Sequence, residues 1–278
     1  MTRYGSDDVA ISVLCAFHNE AELIGHTIQS LNDQTFGDFE AIFVDDGSTD
    51  RTADIIQKAA KFRFKILRNE INLGLVSSLN RGMAAATAPL VARIDADDLM
   101  DPRRLEYQAA AFEQNSELVL LGGQAIKIND NGRSFGTIRM PTGDRACRFA
   151  LNFYSPFVHP SVMFRKDDVL AVGGYDATTF PAEDYDLWCR LAARGHIANL
   201  SQAIVQYRVR SRGSITSGKR SFQLRKHASV IDNYAFWGAP GSPDAALQLR
   251  KIMRLGAVMP WAGRKALLRK MSKLVLGL

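Results

Sequence analysis

The sequence predicts an α/β domain with a mostly parallel central sheet flanked by helices, followed by a helical C-terminal extension. Three observations predict it. Short continuous apolar runs alternate with stretches of helical period through the first hundred residues, the pattern of parallel strands joined by right-handed crossovers. Three of those runs end abruptly in polar residues: His18-Asn19-Glu20, Asp45-Asp46 and Asp95-Ala96-Asp97. In a parallel sheet such ends gather along one edge, where α/β folds bind ligands. Finally, 278 residues, 46% apolar and 23% charged, suffice for one large domain with an appendage. We place the domain at residues 1–215, in two parts of about 9–100 and 101–215, and the extension at 216–278.

Each element follows from local pattern. Residues 9–17 are a continuous apolar run, the mark of a strand buried on both faces. Leu23, Ile24, Ile28 and Leu31 then form a helical stripe. A second strand, 39–44, runs into Asp45-Asp46-Gly47-Ser48-Thr49-Asp50, where Gly47 suits a tight turn and Ser48, Thr49 or Asp50 suits a helix cap. That helix reaches about residue 60, and 64–67 is a third strand. Asn72-Leu73-Gly74 precedes a helix to about residue 86, and 90–94 is the fourth strand. Beyond Pro102 we expect a helix to about 115, strands at 118–128 and 134–140 joined by a turn at 129–132, and a strand at 161–164. A helix opens near Glu183 and ends before Gly195, and a last strand covers 204–209.

Composition narrows the function. There is no apolar run of 18 residues, so no spanning helix is expected, and residues 1–8 have no apolar core of a signal peptide. Cys15, Cys147 and Cys189 have neither disulfide nor zinc spacing. These features suggest a cytoplasmic protein with reduced core cysteines. The first strand is not followed by Gly-x-Gly-x-x-Gly, and no Gly-x-x-x-x-Gly-Lys-Ser/Thr occurs, which disfavours a dinucleotide fold and a phosphate-loop ATPase.

The chemistry concentrates at Arg93-Ile94-Asp95-Ala96-Asp97-Asp98. Three carboxylates in four residues repel one another, and a hard divalent cation with phosphate oxygens in its shell removes that repulsion. The same residues also fit a solvated acidic turn ahead of a helix whose first turn accepts Pro102. A second acidic group, Glu183, Asp184 and Asp186, fits a catalytic base and fits equally the acid-favouring first turn of a helix. Arg93 can offset the acidic cluster or touch phosphate, and fits equally a plain salt bridge to Asp95 or Asp98. His159 can bind acceptor phosphate or serve the core.

Five motifs in order resemble those of family 2 glycosyltransferases: 11–14 through Asn19-Glu20, 44–50, Asn72-x-Gly74, 93–98, and Glu183-Asp184-Tyr185-Asp186-Leu187-Trp188. The resemblance covers about residues 9–210. It implies the GT-A fold, a Rossmann-like sheet with its nucleotide-binding part at 9–100 and acceptor-side part at 101–215, and an inverting enzyme. The donor it implies is a sugar on a nucleoside diphosphate, UDP-type favoured, and the acceptor a hydroxyl of a glycan or lipid-linked molecule in cell-surface polysaccharide synthesis. It further implies Mg²⁺ or Mn²⁺ on Asp97 with Asp95, Asp46 reading the base, and Ala16, His18, Glu20, Arg93 and Asp95 around the nucleotide sugar. Asp184 is the implied base, and we expect its neighbours Glu183 and Asp186 to raise its pKa by like-charge repulsion. Two other classes compete. A non-catalytic nucleotide-sugar or polysaccharide-binding module would not need Asp184 beside an intact Asp-x-Asp. A sugar nucleotidyltransferase would need a glycine-rich basic loop where Phe17-His18-Asn19-Glu20 stands.

The extension differs in charge. Residues 219–278 carry twelve Lys or Arg against two Asp, leaving 23 basic and 27 acidic side chains in 1–218. Residues 264–276 read as a basic amphipathic helix, with Leu267, Leu268, Met271, Leu274 and Val275 on one face. Such a helix can lie at an anionic membrane surface, peripheral on the inner face, or pack on the body. No nucleic-acid module is recognisable, and nucleic acid is not expected as a partner. Because the motifs end before residue 216, the body is expected to fold without the extension.

Overall fold

The computed structural model describes residues 9–210 and, beyond them, residues 226, 227, 229, 230, 233 and 234. The first half runs β1 (Ile11–Phe17), α1 (Ile24–Asn32), β2 (Phe39–Asp45), α2 (Thr52–Ala59), β3 (Arg63–Arg68), α3 (Leu75–Ala85) and β4 (Leu90–Arg93). Strands β3-β2-β1-β4 lie side by side and parallel, with Ile11 opposite both Phe39 and Leu90. Helices cover both faces of β1 and β2, so the strands are buried on both sides and carry continuous rather than alternating apolar residues. Gly82 lets α3 lie close to this sheet. A Cβ there would stand 2.2 Å from Leu14 Cδ1 and 3.0 Å from Val44 Cγ2.

The second half comprises β5 (Leu99–Met100), α4 (Arg104–Gln114), β6 (Leu118–Ile128), β7 (Ser134–Ile138), α5 (Asp144–Leu151), β8 (Met163–Arg165), α6 (Lys166–Ala171), α7 (Glu183–Leu191) and β9 (His196–Arg208). The sheet order is β3-β2-β1-β4-β8-β6-β9-β5, with β7 on β6. β8 pairs antiparallel with β4 and β6, β9 runs parallel to β6, and β5 pairs antiparallel with β9. This is the GT-A arrangement, a curled sheet whose parallel part carries the first half of the chain. Strand β9 begins eight residues before the expected Ile204. Its start is polar at Asn199, Ser201 and Gln202, and its pairing with β6 shifts register several times, so the period-2 signal is lost there. Helices α5 and α6 and the two-residue β5 were not expected; α6 and β5 are too short to show a period.

Two apolar clusters sandwich the sheet. One holds Leu14, Val44, Leu79, Met83 and Trp188, the other Val13, Cys15, Phe43, Ile24 and Ile28. Cys15, Cys147 and Cys189 are buried core residues, as expected. Val230 is buried in the first cluster and Tyr234 packs against it, so contacts cross the expected boundary near residue 215. The expected basic helix at 264–276 lies outside the described residues. Among the described residues no helix is long and apolar enough to cross a membrane.

Candidate active site

The ends of β1, β2 and β4 meet as the alternation predicted. Asn19, held at φ 56°, ties the first two together: Ser48 Oγ accepts from its amide at 3.0 Å, and its Oδ1 accepts from Thr49 N at 2.9 Å. Gly47 makes the expected tight turn at φ +75°. A cleft of about 720 Å³ opens above these ends, and Ala16, His18, Glu20, Asp46, Arg93, Asp95, Asp97 and Asp184 all line it. Eight residues spread over nearly 170 positions of sequence thus share one cavity.

On the nucleotide side, His18 Nδ1 donates to the carbonyl of Asp46 at 2.8 Å. Asp46 Oδ1 accepts from Asn69 Nδ2 (2.7 Å) and Leu73 N (2.9 Å), and Oδ2 from Gly74 N (2.9 Å). Burial alone would raise its pKa, but these donors outweigh burial and hold the carboxyl below its ordinary range. The Asn72-x-Gly74 motif is therefore the loop that Asp46 folds around itself.

The acidic cluster follows β4. One carboxylate oxygen from each of Asp95, Asp97 and Asp98 lies within 4.8 Å of the others. Thr27 Oγ1 lies 2.8 Å from the carbonyl of Ala96 and 2.9 Å from that of Asp98, beneath the turn. Arg93, 2% exposed, grips Asp95 with both terminal nitrogens, one at 2.7 Å, the salt bridge that was the plainer of its expected roles. Beneath it, Arg104 is wholly buried and donates to the carbonyls of Arg93, Pro160 and Val162. Asp98 differs from its neighbours. It is 1% exposed, accepts Arg208 N at 2.7 Å on Oδ1, and has a buried Oδ2 with no partner among the described residues. Burial, reinforced by Asp95 and Asp97, pushes its pKa well up. Oxygen-only donors this close suit Mg²⁺ or Mn²⁺, and Asp97 and Asp95 are the partly exposed members that face the cleft.

Across the cleft, Glu183 and Asp184 begin α7. Burial raises the pKa of Asp184, while His227 and Arg93 pull it down. The expected rise is present, but its largest cause is burial rather than like-charge repulsion. Asp186 takes no part. Its carboxylate accepts Arg190 at 2.6 and 2.9 Å and the Tyr234 hydroxyl at 2.8 Å, outside the cleft. Glu183 is the more perturbed group. Burial, then Asp184, lifts it to about 7, and its Oε2 is buried without a partner among the described residues. His159 meets the Tyr175 hydroxyl at 3.0 Å and the Trp188 ring edge-on at 5.8 Å. Burial, then Arg93, lowers its pKa well below the usual value, so it stands as an uncharged wall of the cleft.

Sequence reasoning passed over Arg210, whose Nε donates to Asp97 Oδ2 at 2.6 Å and whose Nη2 binds Glu20. The available signal was the basic Arg208-Val209-Arg210 at the end of the last expected strand, the counterpart of the acidic ends of the others.

A sequence model described as "Glycosyl transferase family 2" matches residues 12–173. The amylovoran biosynthesis glycosyltransferase AmsE of Erwinia amylovora is 33% identical over 205 residues, covering 72% of this chain and 76% of that protein. Among solved structures, S. aureus TarS 1-349 in complex with UDP-GlcNAc superposes with a TM-score of 0.65 at 21% identity, covering 83% of this chain and 68% of that one. The mannosyltransferase PcManGT of Pyrobaculum calidifontis, in complex with GDP-Man and Mn²⁺, gives 0.64 at 17% identity, covering 98% and 81%.

Proposed function

Since the chain belongs to glycosyl transferase family 2, we propose that it transfers a sugar, with inversion, from a nucleoside-diphosphate sugar to a hydroxyl of a glycan or lipid-linked acceptor. The single observation that carries this reading is the shared cleft. Asp95 and Asp97, which suit a cation and a diphosphate, line the same cavity as Asp184, a carboxylate whose pKa burial raises. The UDP-GlcNAc and GDP-Man complexes of the two similar structures support a nucleotide-sugar donor, and the similarity to an amylovoran biosynthesis enzyme supports a role in polysaccharide synthesis. A UDP-type donor is favoured.

In this reading Ala16, His18 and Asp46 line the nucleoside pocket, with Asp46 as the base-reading acceptor. Glu20, Arg93 and Asp95 border the phosphates and sugar. A Mg²⁺ or Mn²⁺ ion held by Asp97 and Asp95 would supply Lewis-acid neutralisation of the diphosphate leaving group. Asp184 accepts the proton of the acceptor hydroxyl as that oxygen attacks the anomeric carbon opposite the breaking carbon–oxygen bond. One base on one face yields inversion. With His159 uncharged and Tyr175 buried, the carboxylates on that side are Glu183 and Asp184, and the family motif assigns the base to Asp184. The buried cysteines, without disulfide spacing, fit a reducing cytoplasm, and residues 264–276 would hold the protein at the inner face of an anionic membrane.

A thermal-shift panel of nucleotide sugars, each with Mn²⁺, tests the reading, because a ligand of the folded state raises its midpoint. A uridine-diphosphate sugar should give the largest rise. A panel in which no nucleotide sugar moves the midpoint would sink the proposal.

A further inference from the structure

Arg210 ties three strand ends across the mouth of the cleft. It lies two residues past β9, Asp97 follows β4, and Glu20 follows β1. Its guanidinium holds Asp97 Oδ2 at 2.6 Å and the Glu20 carboxylate through a second nitrogen. The backbone that presents it is pinned. Arg208 Nε donates to the Asp97 carbonyl at 2.8 Å, Arg208 N to Asp98 Oδ1 at 2.7 Å, and Val209 N to the Ile128 carbonyl at 2.9 Å.

The two arginine–aspartate pairs of the cluster are not alike. In the Arg93–Asp95 pair the arginine side chain is 3% exposed. In the Arg210 pairs all three side chains are 20–23% exposed. Water reaches the second arrangement, so it can open without stranding a buried charge. Four carboxylates, Glu20, Asp95, Asp97 and Asp98, crowd this corner; Arg93 pairs with Asp95, and Arg210 with Glu20 and Asp97.

We propose that Arg210 is an internal counter-ion that occupies Asp97 in the donor-free protein and exchanges it for the donor's diphosphate. This rests on the reading that the cleft takes a nucleoside-diphosphate sugar. A divalent cation and a guanidinium compete for the negative charge of one carboxylate, and two positive groups a few ångströms apart repel strongly in a partly desolvated site. A cation arriving alone therefore works against Arg210. A diphosphate gives the planar guanidinium a bidentate partner of its own, so Asp97 is released as the donor enters. Metal and donor then bind with positive linkage, each strengthening the other by the same factor. The free protein in turn needs no metal to hold its acidic cluster together.

Calorimetry on the full chain tests this with Mn²⁺ alone, UDP alone in chelator, and Mn²⁺ in saturating UDP. In the wild type, UDP should tighten Mn²⁺ binding by about tenfold or more. Arg210→Gln should bind Mn²⁺ alone about tenfold more tightly than the wild type, bind metal-free UDP more weakly, and show a smaller linkage. Arg210→Lys keeps the charge but cannot span Asp97 and Glu20 with one planar group. Its affinity for Mn²⁺ alone should fall between the other two, and it carries the test if the glutamine variant does not fold. Unchanged affinity for Mn²⁺ alone in whichever variant folds overturns the proposal, as does wild-type linkage in Arg210→Gln. If UDP fails to bind any of the proteins while Arg210→Gln still gains Mn²⁺ affinity, the donor reading fails but the competition for Asp97 stands.

Discussion

The Tyr234 hydroxyl donates to Asp186 Oδ1 at 2.8 Å, joining the segment beyond residue 215 to the helix that carries the proposed base. Val230 is buried in the same cluster as Trp188, and the ring of His227 lies 5.3 Å from that of Tyr185. This segment is part of the wall behind Asp184. Truncation after residue 218 is therefore expected to lower the thermal midpoint and weaken transfer, rather than leave an intact body. Tyr234→Phe removes one hydrogen bond and should cost about 1 kcal/mol. Chemical denaturation of both variants checks this, and a truncated chain as stable as the whole would show that the contacts are dispensable.

Asp184→Asn should fold and bind donor normally while transfer falls about 100-fold or more, because an amide cannot take the proton. The loss belongs in the chemical step if, as proposed, the donor's phosphates are held at Asp95 and Asp97 rather than at Asp184. Burial raises the Asp184 pKa, so the wild-type rate should climb with pH through a limb above that of a free aspartate. Transfer kinetics beside a nucleotide isotherm measure both. A variant that loses donor binding in step with turnover would make Asp184 structural.

Glu183 ties stability to pH. Its pKa rises from 4.5 to about 7 on folding, chiefly through burial. Between those values the folded state binds more protons than the unfolded one, so this group's contribution to stability is full below pH 4.5 and is lost as pH rises through 7. Glu183→Gln should remove that decline and stabilise the protein at pH 8 by roughly 1 kcal/mol or more. Melting curves from pH 5 to pH 8 decide the point; parallel wild-type and variant profiles would contradict it.

Asp97→Asn should abolish transfer and remove the metal dependence of nucleotide binding. Titration of UDP with Mn²⁺ and with chelator gives the comparison. Equal metal dependence in wild type and variant would place the cation elsewhere.

Substitution at Gly82 tests the sheet itself. Gly82→Ala puts a methyl 2.2 Å from Leu14 Cδ1, and the overpacking should cost about 1–3 kcal/mol. An unchanged denaturation midpoint would mean that α3 can move away from the sheet freely.

By itself, the sequence determined the parallel half of the fold and the floor of the site. β1, β2 and β4 are buried on both faces, so each shows as a nearly continuous apolar run, broken only by the buried Ser12, Glu40 and Arg93 before its polar end. Of the polar residues that end those runs, His18, Glu20, Asp46, Asp95 and Asp97 reach the cleft. Local rules suffice there, because strand ends at one edge follow from topology alone. Only the tertiary structure decided the partners. Glu183 and Asp186 flank the same helical turn and look equivalent as text. Helical geometry and burial send Glu183 into the cleft at a pKa near 7, and Asp186 to Arg190 and Tyr234. Arg210 meets Glu20 across 190 positions, and no local period encodes a contact set by the curl of β9 along β6. The extension read as a separate unit because its charge differs, yet Val230 and Tyr234 close the core over α7, since burial of apolar surface ignores the charge balance along the chain.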